Sequence, residues 1–210
     1  MDLNELSLSV QQGNAKKVKE LVNLALAEKI DVEAILNQGL ICAMGEVGIK
    51  FKNREIYVPE MLVAARAMTA GMQILEPILT ASGVKPVGVA VIGTVKGDLH
   101  DIGKNLVRMM LKGAGIEVHD MGIDVSAEAF ANKAEEVGAK IVCLSALLTT
   151  TMPAMKVVID EFTKRGIRDK YIFMIGGAPI TNEFAIEIGA DHYTTDAASA
   201  AQIAKSLLVG

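Results

Sequence analysis

The side chains with the greatest capacity for chemistry cluster in one short segment, residues 93–105. The segment is rich in glycine and contains Asp98, Asp101 and His100, which is one of three histidines in the chain. A carboxylate that accepts a hydrogen bond from one imidazole nitrogen fixes the ring and raises the basicity of the other nitrogen. The sequence Asp98-Leu99-His100 therefore fits a metal ligand preceded by its supporting carboxylate.

Other phosphate-binding and metal-binding patterns fit this segment less well. A dinucleotide-binding loop requires G-x-G-x-x-G, which residues 93–103 do not supply, and a P-loop requires Ser or Thr where Asn105 stands. A phospho-receiver would place an aspartate at the end of the third predicted strand, where Ser145 stands instead. A hydrolytic zinc or iron site would need more ligands nearby, but His119 and His192 follow other predicted strands. A single imidazole is enough if a macrocycle supplies the remaining ligands.

Two later loops also carry unusual residues. Residues 145–151 are Ser-Ala-Leu-Leu-Thr-Thr-Thr, a run of hydroxyls rather than charges. Gly176 and Gly177 are adjacent at the end of another predicted strand. Two glycines in that position indicate that the backbone approaches another group closely or adopts a positive φ.

These loops belong to a part of the chain in which short apolar runs alternate with amphipathic helical patterns. Continuous apolar strands separated by helices predict a parallel sheet that is covered on both faces. Five such strands fit the flavodoxin-like, Rossmann-type order 2-1-3-4-5, in which ligands bind beyond the carboxyl ends of the strands where the order reverses. The predicted strands are 87–92, 116–119, 141–144, 171–175 and 192–193, and the predicted helices are 104–113, 126–137, 152–165, 181–188 and 197–208.

The preceding part of the chain has a helical pattern throughout and predicts a small bundle. A short helix is expected over residues 2–12. Asn14 and Asp31 each fit the N-cap of a longer helix, because their side chains can accept from free backbone N–H groups. Pro59 suits the first turn of a third long helix, where its missing N–H costs nothing. The polar stretch after Phe51 separates the last two of these helices.

The join between the two parts is predicted near residues 81–86, which are Ala-Ser-Gly-Val-Lys-Pro. Pro77 should bend or end the last helix before it, because proline removes a backbone donor. The predicted domains are a helical cap over 1–82 and an α/β domain over 87–210, which makes the fold class α + α/β.

Composition argues against several functional classes. The chain has 21 basic and 25 acidic residues and a net charge of −4, which is unlike the basic surface of a nucleic-acid-binding protein and offers no polybasic membrane anchor. Cys42 and Cys143 are far apart and suggest neither a zinc motif nor a disulfide framework. The N-terminus lacks the pattern of a signal peptide, and we expect no apolar stretch of the roughly 18 residues that span a bilayer. The expected location is the cytoplasm.

The three loop motifs together resemble the cobalamin-binding domain family. They are D-x-H-x-x-G, S-x-L and G-G, after the first, third and fourth predicted strands. The helical part resembles the cap module that precedes this domain in methionine synthase and in methyl-carrying corrinoid proteins. The whole plan is most similar to the corrinoid proteins of methanol, methylamine and methoxyaromatic methyltransferase systems. The residues that match the motifs are Asp98, His100, Gly103, Ser145, Leu147, Gly176 and Gly177.

The resemblance implies that the chain binds cobalamin or a related cobamide in the base-off/His-on form. The lower base of the cofactor would leave the cobalt, and His100 would take its place with Asp98 as hydrogen-bond partner. Thr151 stands where methionine synthase carries Ser, and its hydroxyl would complete the triad. The other cofactor-binding positions that the resemblance implies are Gly97, Leu99, Asp101 and Gly103 in the first loop, Ser145, Leu147, Thr149, Gly176 and Gly177 along the slot for the displaced tail, and Ala197 at the end of that slot.

Two residues of the helical part have competing interpretations. Spacing alone favours Phe51 and Val58 as ordinary core residues, whereas the resemblance implies that they lie over the upper face of the cobalt and shield it from water and oxidants. In that role the cap would have to move aside for a partner, so segment 81–86 becomes a hinge candidate. Ile102 stands where adenosylcobalamin mutases typically carry Arg, which places the chain with the methyl-transfer branch of the family.

The function that the resemblance implies is methyl transport on cobalt, by cycling between Co(I) and methyl-Co(III). One methyltransferase, specific for the methyl donor, would load the cobalt, and a second would pass the methyl group to a thiol or a tetrahydrofolate-type acceptor. A reductive activase is a third expected partner. With 210 residues the chain has no room for a TIM-barrel methyltransferase, so it is expected to be a carrier subunit and not an enzyme on its own. The alternatives are a corrinoid-binding regulatory sensor and a corrinoid-free α/β binding module.

Overall fold

The computed structural model describes residues 2–82 and 85–209, and the chain divides into two compact units. One unit comprises Met1–Pro86 with Gly113–Gly115, and the other comprises Val87–Lys112 with Ile116–Gly210. The linker predicted over 81–86 is only partly described, because residues 83 and 84 lie outside the described residues and 81 and 82 are the end of a helix. The proposed hinge there remains a prediction.

The first unit is helical, as its sequence pattern indicates. Asn14 and Asp31 are N-caps, with side-chain oxygens that accept from the N–H groups of Lys17 at 3.1 Å and Ala34 at 3.0 Å. Apolar residues of these helices form the core of the unit, and Leu6, Val18 and Leu40 are fully buried there. The helices are α1 (Leu3–Gln11), α2 (Ala15–Ala27), α3 (Val32–Ala34), a π-helical segment (Ile35–Ile41), α4 (Cys42–Lys52) and α5 (Val58–Ser82).

Two local features of this unit differ from the sequence-based expectations. Pro77 lies inside α5, which continues to Ser82, so the prediction that this proline could end the helix is wrong. A proline costs the helix one backbone hydrogen bond, and burial of Leu75 and Leu79 on either side of it offsets that loss. The π-helical segment between α3 and α4 was not predicted.

The second unit contains the predicted parallel sheet in the predicted order, β2-β1-β3-β4-β5. Each strand and helix boundary lies within two residues of its predicted place. A short 3₁₀ turn over Arg168–Lys170 was not predicted. The elements are β1 (Val89–Thr94), α6 (Ile102–Gly113), β2 (Glu117–Asp120), α7 (Ala127–Glu136), β3 (Ile141–Ser145), α8 (Pro153–Lys164), β4 (Ile172–Gly176), α9 (Asn182–Ile188), β5 (His192–Tyr193) and α10 (Ala197–Val209).

The central strands of this sheet are buried on both faces. Consecutive residues of β1 and β3 are inaccessible to solvent, as expected for parallel strands between two layers of helices. The register pairs Thr94 with Ser145 and Ser145 with Gly176, so the last residues of the three central strands form one row. The loops that follow these three strands therefore emerge side by side at one edge of the sheet.

Within the described residues, one helical stretch, Val32–Lys52, is long and apolar enough to cross a membrane by length and composition alone. The expectation that no such stretch exists is wrong in this respect, because mean hydropathy tolerates the isolated polar residues that interrupt the apolar run. The stretch is 39% buried inside the protein, with Leu40, Met44 and Val47 in the core of the first unit. A core helix of a globular unit meets the same criteria.

Candidate functional site

The loop after β1 is held at the carboxyl edge of the sheet by bonds to the neighbouring chain segments. The N–H of Val95 donates to the carbonyl of Ser145 at 3.0 Å, and Val95 also forms a parallel bridge with Val125. The buried hydroxyl of Thr94 donates to the carbonyl of His100 at 2.8 Å, which ties the end of the loop back to the end of the strand. Both ends of the loop are therefore anchored.

Asp98 is fully buried and is the centre of the site. Its Oδ1 accepts from the backbone N–H of His100 at 3.0 Å and from the Nδ1 of the same residue at 2.8 Å. Its Oδ2 accepts from the hydroxyl of Thr151 at 2.6 Å and from the N–H groups of Leu147 at 2.8 Å and Leu148 at 3.3 Å. One carboxylate thus joins the loop after β1 to the loop after β3.

These donors determine the ionisation state of Asp98. Burial alone would raise its pKa, because it removes water from the carboxylate. The Thr151 hydroxyl, the backbone N–H groups of His100 and Leu147 and the imidazole outweigh burial, and they hold the pKa of Asp98 well below its ordinary value. Asp98 is therefore an anion that can only accept hydrogen bonds.

The imidazole of His100 is oriented by this anion. Because ionised Asp98 has no proton to give, Nδ1 of the ring must be the donor, and in the neutral imidazole Nε2 then keeps its lone pair. The side chain of His100 is 49% exposed, whereas that of Asp98 is not exposed at all. The site thus presents one oriented imidazole nitrogen at the surface, with a buried carboxylate behind it, which is the arrangement of a supported metal ligand.

The glycines after β4 have different surroundings. Gly177 has a φ of +141°, and a Cβ added to it would lie 1.8 Å from the carbonyl oxygen of Ala146, so no side chain fits there. A Cβ added to Gly176 would meet its nearest atom, the carbonyl oxygen of Thr194, at an ordinary 3.7 Å. Gly177 is therefore required for the close approach of two loops, whereas the fold itself would tolerate a methyl group at Gly176.

The remaining predicted positions of this unit lie around the same edge of the sheet. Leu99 and Leu147 are exposed large apolar side chains, at 67% and 41%. Asp101 is exposed and accepts from the Asn105 side chain at 2.9 Å. The other predicted positions are Gly97 with a φ of +85°, Gly103 with open space beside it, half-buried Ser145, exposed Thr149, and Ala197, which is buried at the start of α10.

Phe51 and Val58 belong to the first unit. Phe51 lies in the last turn of α4, and Val58 is the first residue of α5. Both are half-buried. Their role over the upper face of a cofactor stays a prediction.

Sequence reasoning missed several groups that build this site. The N–H of Leu148 could not have been identified, because every residue other than proline carries the same group. Thr94 is a buried hydroxyl at a strand end, which is a weak sequence signal. Asp124, in the loop after β2, accepts from the N–H of Gly97 at 2.8 Å, and its place two residues after Gly122 could have marked it as a turn residue.

The chemistry of the donor set fits a metal that brings its own ligands. Among the described residues, no group of three or more His, Cys, Asp or Glu side chains is placed to hold a metal ion. His100 offers a single nitrogen. Its sequence neighbours Leu99 and Ile102 are exposed apolar side chains, as is Leu148, whose N–H donates to Asp98. These residues would suit a macrocycle that supplies the other ligands of its metal, with His100 supplying one nitrogen.

Comparison with known proteins identifies the same two parts. Two family models, both described as a B12 binding domain, match residues 88–202 and residues 2–76. The chain is 42% identical to dimethylamine corrinoid protein 3 of Methanosarcina acetivorans over 207 residues, which cover 99% of this chain and 97% of the relative.

Solved structures agree with this similarity. A cobalamin-binding protein from Desulfitobacterium hafniense superimposes with a TM-score of 0.82 at 30% identity, with complete coverage of both chains. A chain of the methanol:cobalamin methyltransferase complex from Methanosarcina barkeri superimposes with a TM-score of 0.86 at 30% identity, over 98% of this chain and 78% of that one.

Proposed function

The chain belongs to the family of corrinoid proteins that carry a B12 binding domain, and from this membership we propose that it transports a methyl group on the cobalt of a bound cobamide. Like its relatives, it is a carrier subunit of a methyltransferase system and not an enzyme on its own. The observation that supports this proposal most directly is the buried Asp98 carboxylate, which leaves the Nε2 of His100 as an outward-facing ligand.

We propose that the cobamide binds in the base-off/His-on form, with Nε2 of His100 on its lower face. When bound, the cobamide supplies a cobalt ion that alternately accepts and releases a methyl group. The protein keeps a proton on Nδ1 of His100, because the ionised Asp98 accepts it as a hydrogen bond at 2.8 Å. Thr151 holds Asp98 in this state by donating its hydroxyl proton at 2.6 Å. The residues with direct roles in the cycle are then His100, Asp98 and Thr151.

The displaced tail of the cobamide is proposed to run into a slot between the sheet and its helices, past the ends of β3 and β4. Ser145 and Gly176 are register neighbours at the ends of these strands, and the space beside Gly176 can accept a passing group. Thr149 is exposed on the first of these loops and can offer its hydroxyl. The positions assigned to the corrin and its tail are Gly97, Leu99, Asp101, Gly103, Ser145, Leu147, Thr149, Gly176, Gly177 and Ala197.

The partners follow from the same carrier role. The similar chain in the methanol:cobalamin methyltransferase complex and the relatives that are named dimethylamine corrinoid proteins favour a small methylated amine or methanol as the methyl donor. We propose a donor-specific methyltransferase, a second methyltransferase with a thiol or tetrahydrofolate-type acceptor, and a reductive activase, all in the cytoplasm. The same relatives are named corrinoid proteins of dimethylamine and not regulators, which favours this role over the regulatory sensor.

Reconstitution tests the proposal. The purified chain is incubated with cobalamin under reducing conditions, passed through a desalting column and measured by visible absorption. We expect about one corrinoid retained per chain, and isotopic methyl from dimethylamine or methanol on that corrinoid when the cognate methyltransferase is added. A chain that retains no corrinoid contradicts the carrier. Retention without methyl uptake from methanol or any methylamine would instead support the sensor.

A further inference from the structure

The loop that carries Asp98 and His100 is held on its outer side by a segment that the proposed function does not use. This segment is Gly122–Val125, between β2 and α7. The N–H of Thr94 donates to the carbonyl of Gly122 at 3.0 Å, and the N–H of Val125 donates to the carbonyl of Thr94 at 3.0 Å. The segment therefore extends the sheet beside the start of the loop.

Asp124 makes the contacts in this segment that reach the loop itself. Its carboxylate accepts from the N–H of Gly97 at 2.8 Å and from the Nζ of Lys96 at 3.0 Å. Its own N–H donates to the carbonyl of Asp98 at 3.0 Å. One residue thus contacts three consecutive loop residues, 96, 97 and 98, and only Leu99 separates these from His100.

The backbone of Asp124 is unusual in a way that these contacts explain. Its φ is +55°, a left-handed conformation that few non-glycine residues adopt, although Asp and Asn tolerate it best. Gly97, which it contacts, also has a left-handed φ of +85°. Two opposed left-handed residues joined by a hydrogen bond define the path of the loop. Sparsely populated backbone conformations persist where the surroundings impose them, and they concentrate at functional sites.

We propose that Asp124 is a positioning residue for the metal ligand: by holding residues 96–98, it places the Asp98 carboxylate where it can orient the imidazole of His100. The hydrogen bond from the N–H of Gly97 to the Asp124 carboxylate is responsible for this effect. The ion pair with Lys96 contributes little, because the side chains of Lys96 and Asp124 are 64% and 41% exposed and exposed pairs are weak. The orientation of the ring follows from contacts within the chain, whereas its consequence for cobalt rests on the proposed function.

Three variants separate the effect of the hydrogen bond between Asp124 and Gly97 from the effect of the ion pair between Asp124 and Lys96. Asp124→Gly removes the carboxylate while keeping a residue that accepts a left-handed φ, so we expect a folded protein with a loosened loop. Asp124→Asn has an amide oxygen that can accept from the N–H of Gly97, so it should keep the loop in its original conformation. Lys96→Met removes only the ion pair and should behave like the original chain. Each variant is first compared by its thermal unfolding midpoint.

The readout is nitrogen NMR of the cofactor-free protein labelled with ¹⁵N-histidine, which reports which ring nitrogen of His100 carries the proton. We expect the Nδ1–H form in the original chain, in Asp124→Asn and in Lys96→Met, and a mixture with the Nε2–H form in Asp124→Gly. In the same series, cobalamin affinity should fall about tenfold only in Asp124→Gly, within the range for residues behind a metal ligand.

An unchanged His100 tautomer and an unchanged cobalamin affinity in Asp124→Gly would overturn the proposal. So would a loss of cobalamin affinity in Lys96→Met as large as that in Asp124→Gly. If Asp124→Gly does not fold in buffer alone, it is measured in the same way in sucrose, which favours the folded state. The NMR experiment needs no cobamide. If the original chain binds no corrinoid but Asp124→Gly still shifts the tautomer, the proposed function fails and the positioning role stands.

Discussion

At the scale of single residues, the buried, charged carboxylate of Asp98 joins the parts of the site. It accepts hydrogen bonds from its own loop through His100 and from the loop after β3 through Leu147, Leu148 and Thr151. Hydrogen bonds to an ionised group are stronger than those between neutral groups. The orientation of the His100 imidazole and the packing of two loops therefore depend on the same carboxylate.

We predict that Asp98→Asn lowers both cofactor affinity and stability. The groups that surround the Asp98 carboxylate all donate hydrogen bonds. An asparagine amide would place its NH₂, also a donor, against one of them, so at least one hydrogen bond would be lost. The expected loss is about 10–100-fold in cobalamin affinity and about 1–3 kcal/mol in the free energy of unfolding. Absorption titration and urea unfolding measure the two effects.

The matched control for this substitution is Asp160→Asn. Asp160 is an exposed carboxylate on α8 whose partner is Lys156 of the same helix. Asp160→Asn should leave both the cobalamin affinity and the free energy of unfolding nearly unchanged. If Asp98→Asn behaved like this control, the carboxylate would have no role in holding the ligand.

The residues of the site differ in how far sequence could predict them. Asp98, His100 and Thr151 were predictable because their side-chain types and spacing match a known pattern. The backbone N–H of Leu148 and the carboxylate of Asp124 were not, since the first has no residue-specific signal and the second depends on how the loop after β2 lies beside the loop after β1. Side chains that belong to a known pattern are easier to identify than backbone groups or residues of a loop outside that pattern.

At the scale of elements, apolar periodicity predicted the second unit well and failed where packing overrides a local rule. The strands and their order followed from short apolar runs between amphipathic helices. Pro77 is a strong local signal for a helix end, yet α5 continues through it. The π-helical segment Ile35–Ile41 was not predicted from the apolar pattern either.

The paired glycines after β4 give a prediction that separates folding from binding. Gly177→Ala should destabilise the protein, because the new Cβ would clash with the carbonyl oxygen of Ala146 and φ is +141°. Gly176→Ala should leave the unfolding midpoint nearly unchanged, because its Cβ meets nothing closer than 3.7 Å. If the tail of the cobamide passes Gly176, that variant should nevertheless bind cobalamin more weakly. Full affinity in a stable Gly176→Ala protein would place the tail elsewhere.

The start of α6 is joined to the end of β2 by an ion cluster. The Oδ1 of Asp120 accepts from the Nζ of Lys104, which is 3% exposed, and its Oδ2 accepts from Arg108 at 2.7 Å. Partial burial raises the pKa of Asp120, but the hydrogen bond from Lys104, the N–H of Gly122 and the positive charges of Lys104 and Arg108 outweigh it and lower the pKa. The cluster therefore stabilises the fold when Asp120 is ionised.

This cluster predicts a pH-dependent effect of Asp120→Asn. A carboxyl group with a depressed folded pKa contributes stability above its unfolded pKa of about 3.9, and that stability is lost as the pH falls through the folded value. At pH 7 the variant should be less stable by about 3 kcal/mol, since it leaves a buried ammonium without its anion. Chemical unfolding at pH 7 and pH 3 should show the difference shrinking in acid. An equal or larger difference at pH 3 would exclude the ion cluster as its cause.

At the scale of the whole molecule, the chain combines a helical unit and an α/β unit within 210 residues. The family resemblance assigns Phe51 and Val58 of the helical unit to the upper face of the cofactor. We predict that Phe51→Ala retains cobalamin but speeds the oxidation of the reduced, Co(I) protein by air. Ile49→Ala, an exposed apolar position on the same helix, is the control and should oxidise at the original rate. Equal rates in the two variants would make Phe51 a core residue only.

The central claim is that His100 supplies the single protein ligand of the cobalt. Electron paramagnetic resonance of the Co(II) protein tests it, because a nitrogen bound to the lower face splits the cobalt lines. We predict a triplet splitting with natural-abundance protein, a doublet when only the histidines of the protein carry ¹⁵N, and no protein-derived splitting in His100→Ala. A triplet in the original chain that does not change with the ¹⁵N-histidine label would mean that the cofactor keeps its own base, and a label-dependent doublet in His100→Ala would mean that another histidine is the ligand; either result would contradict the account.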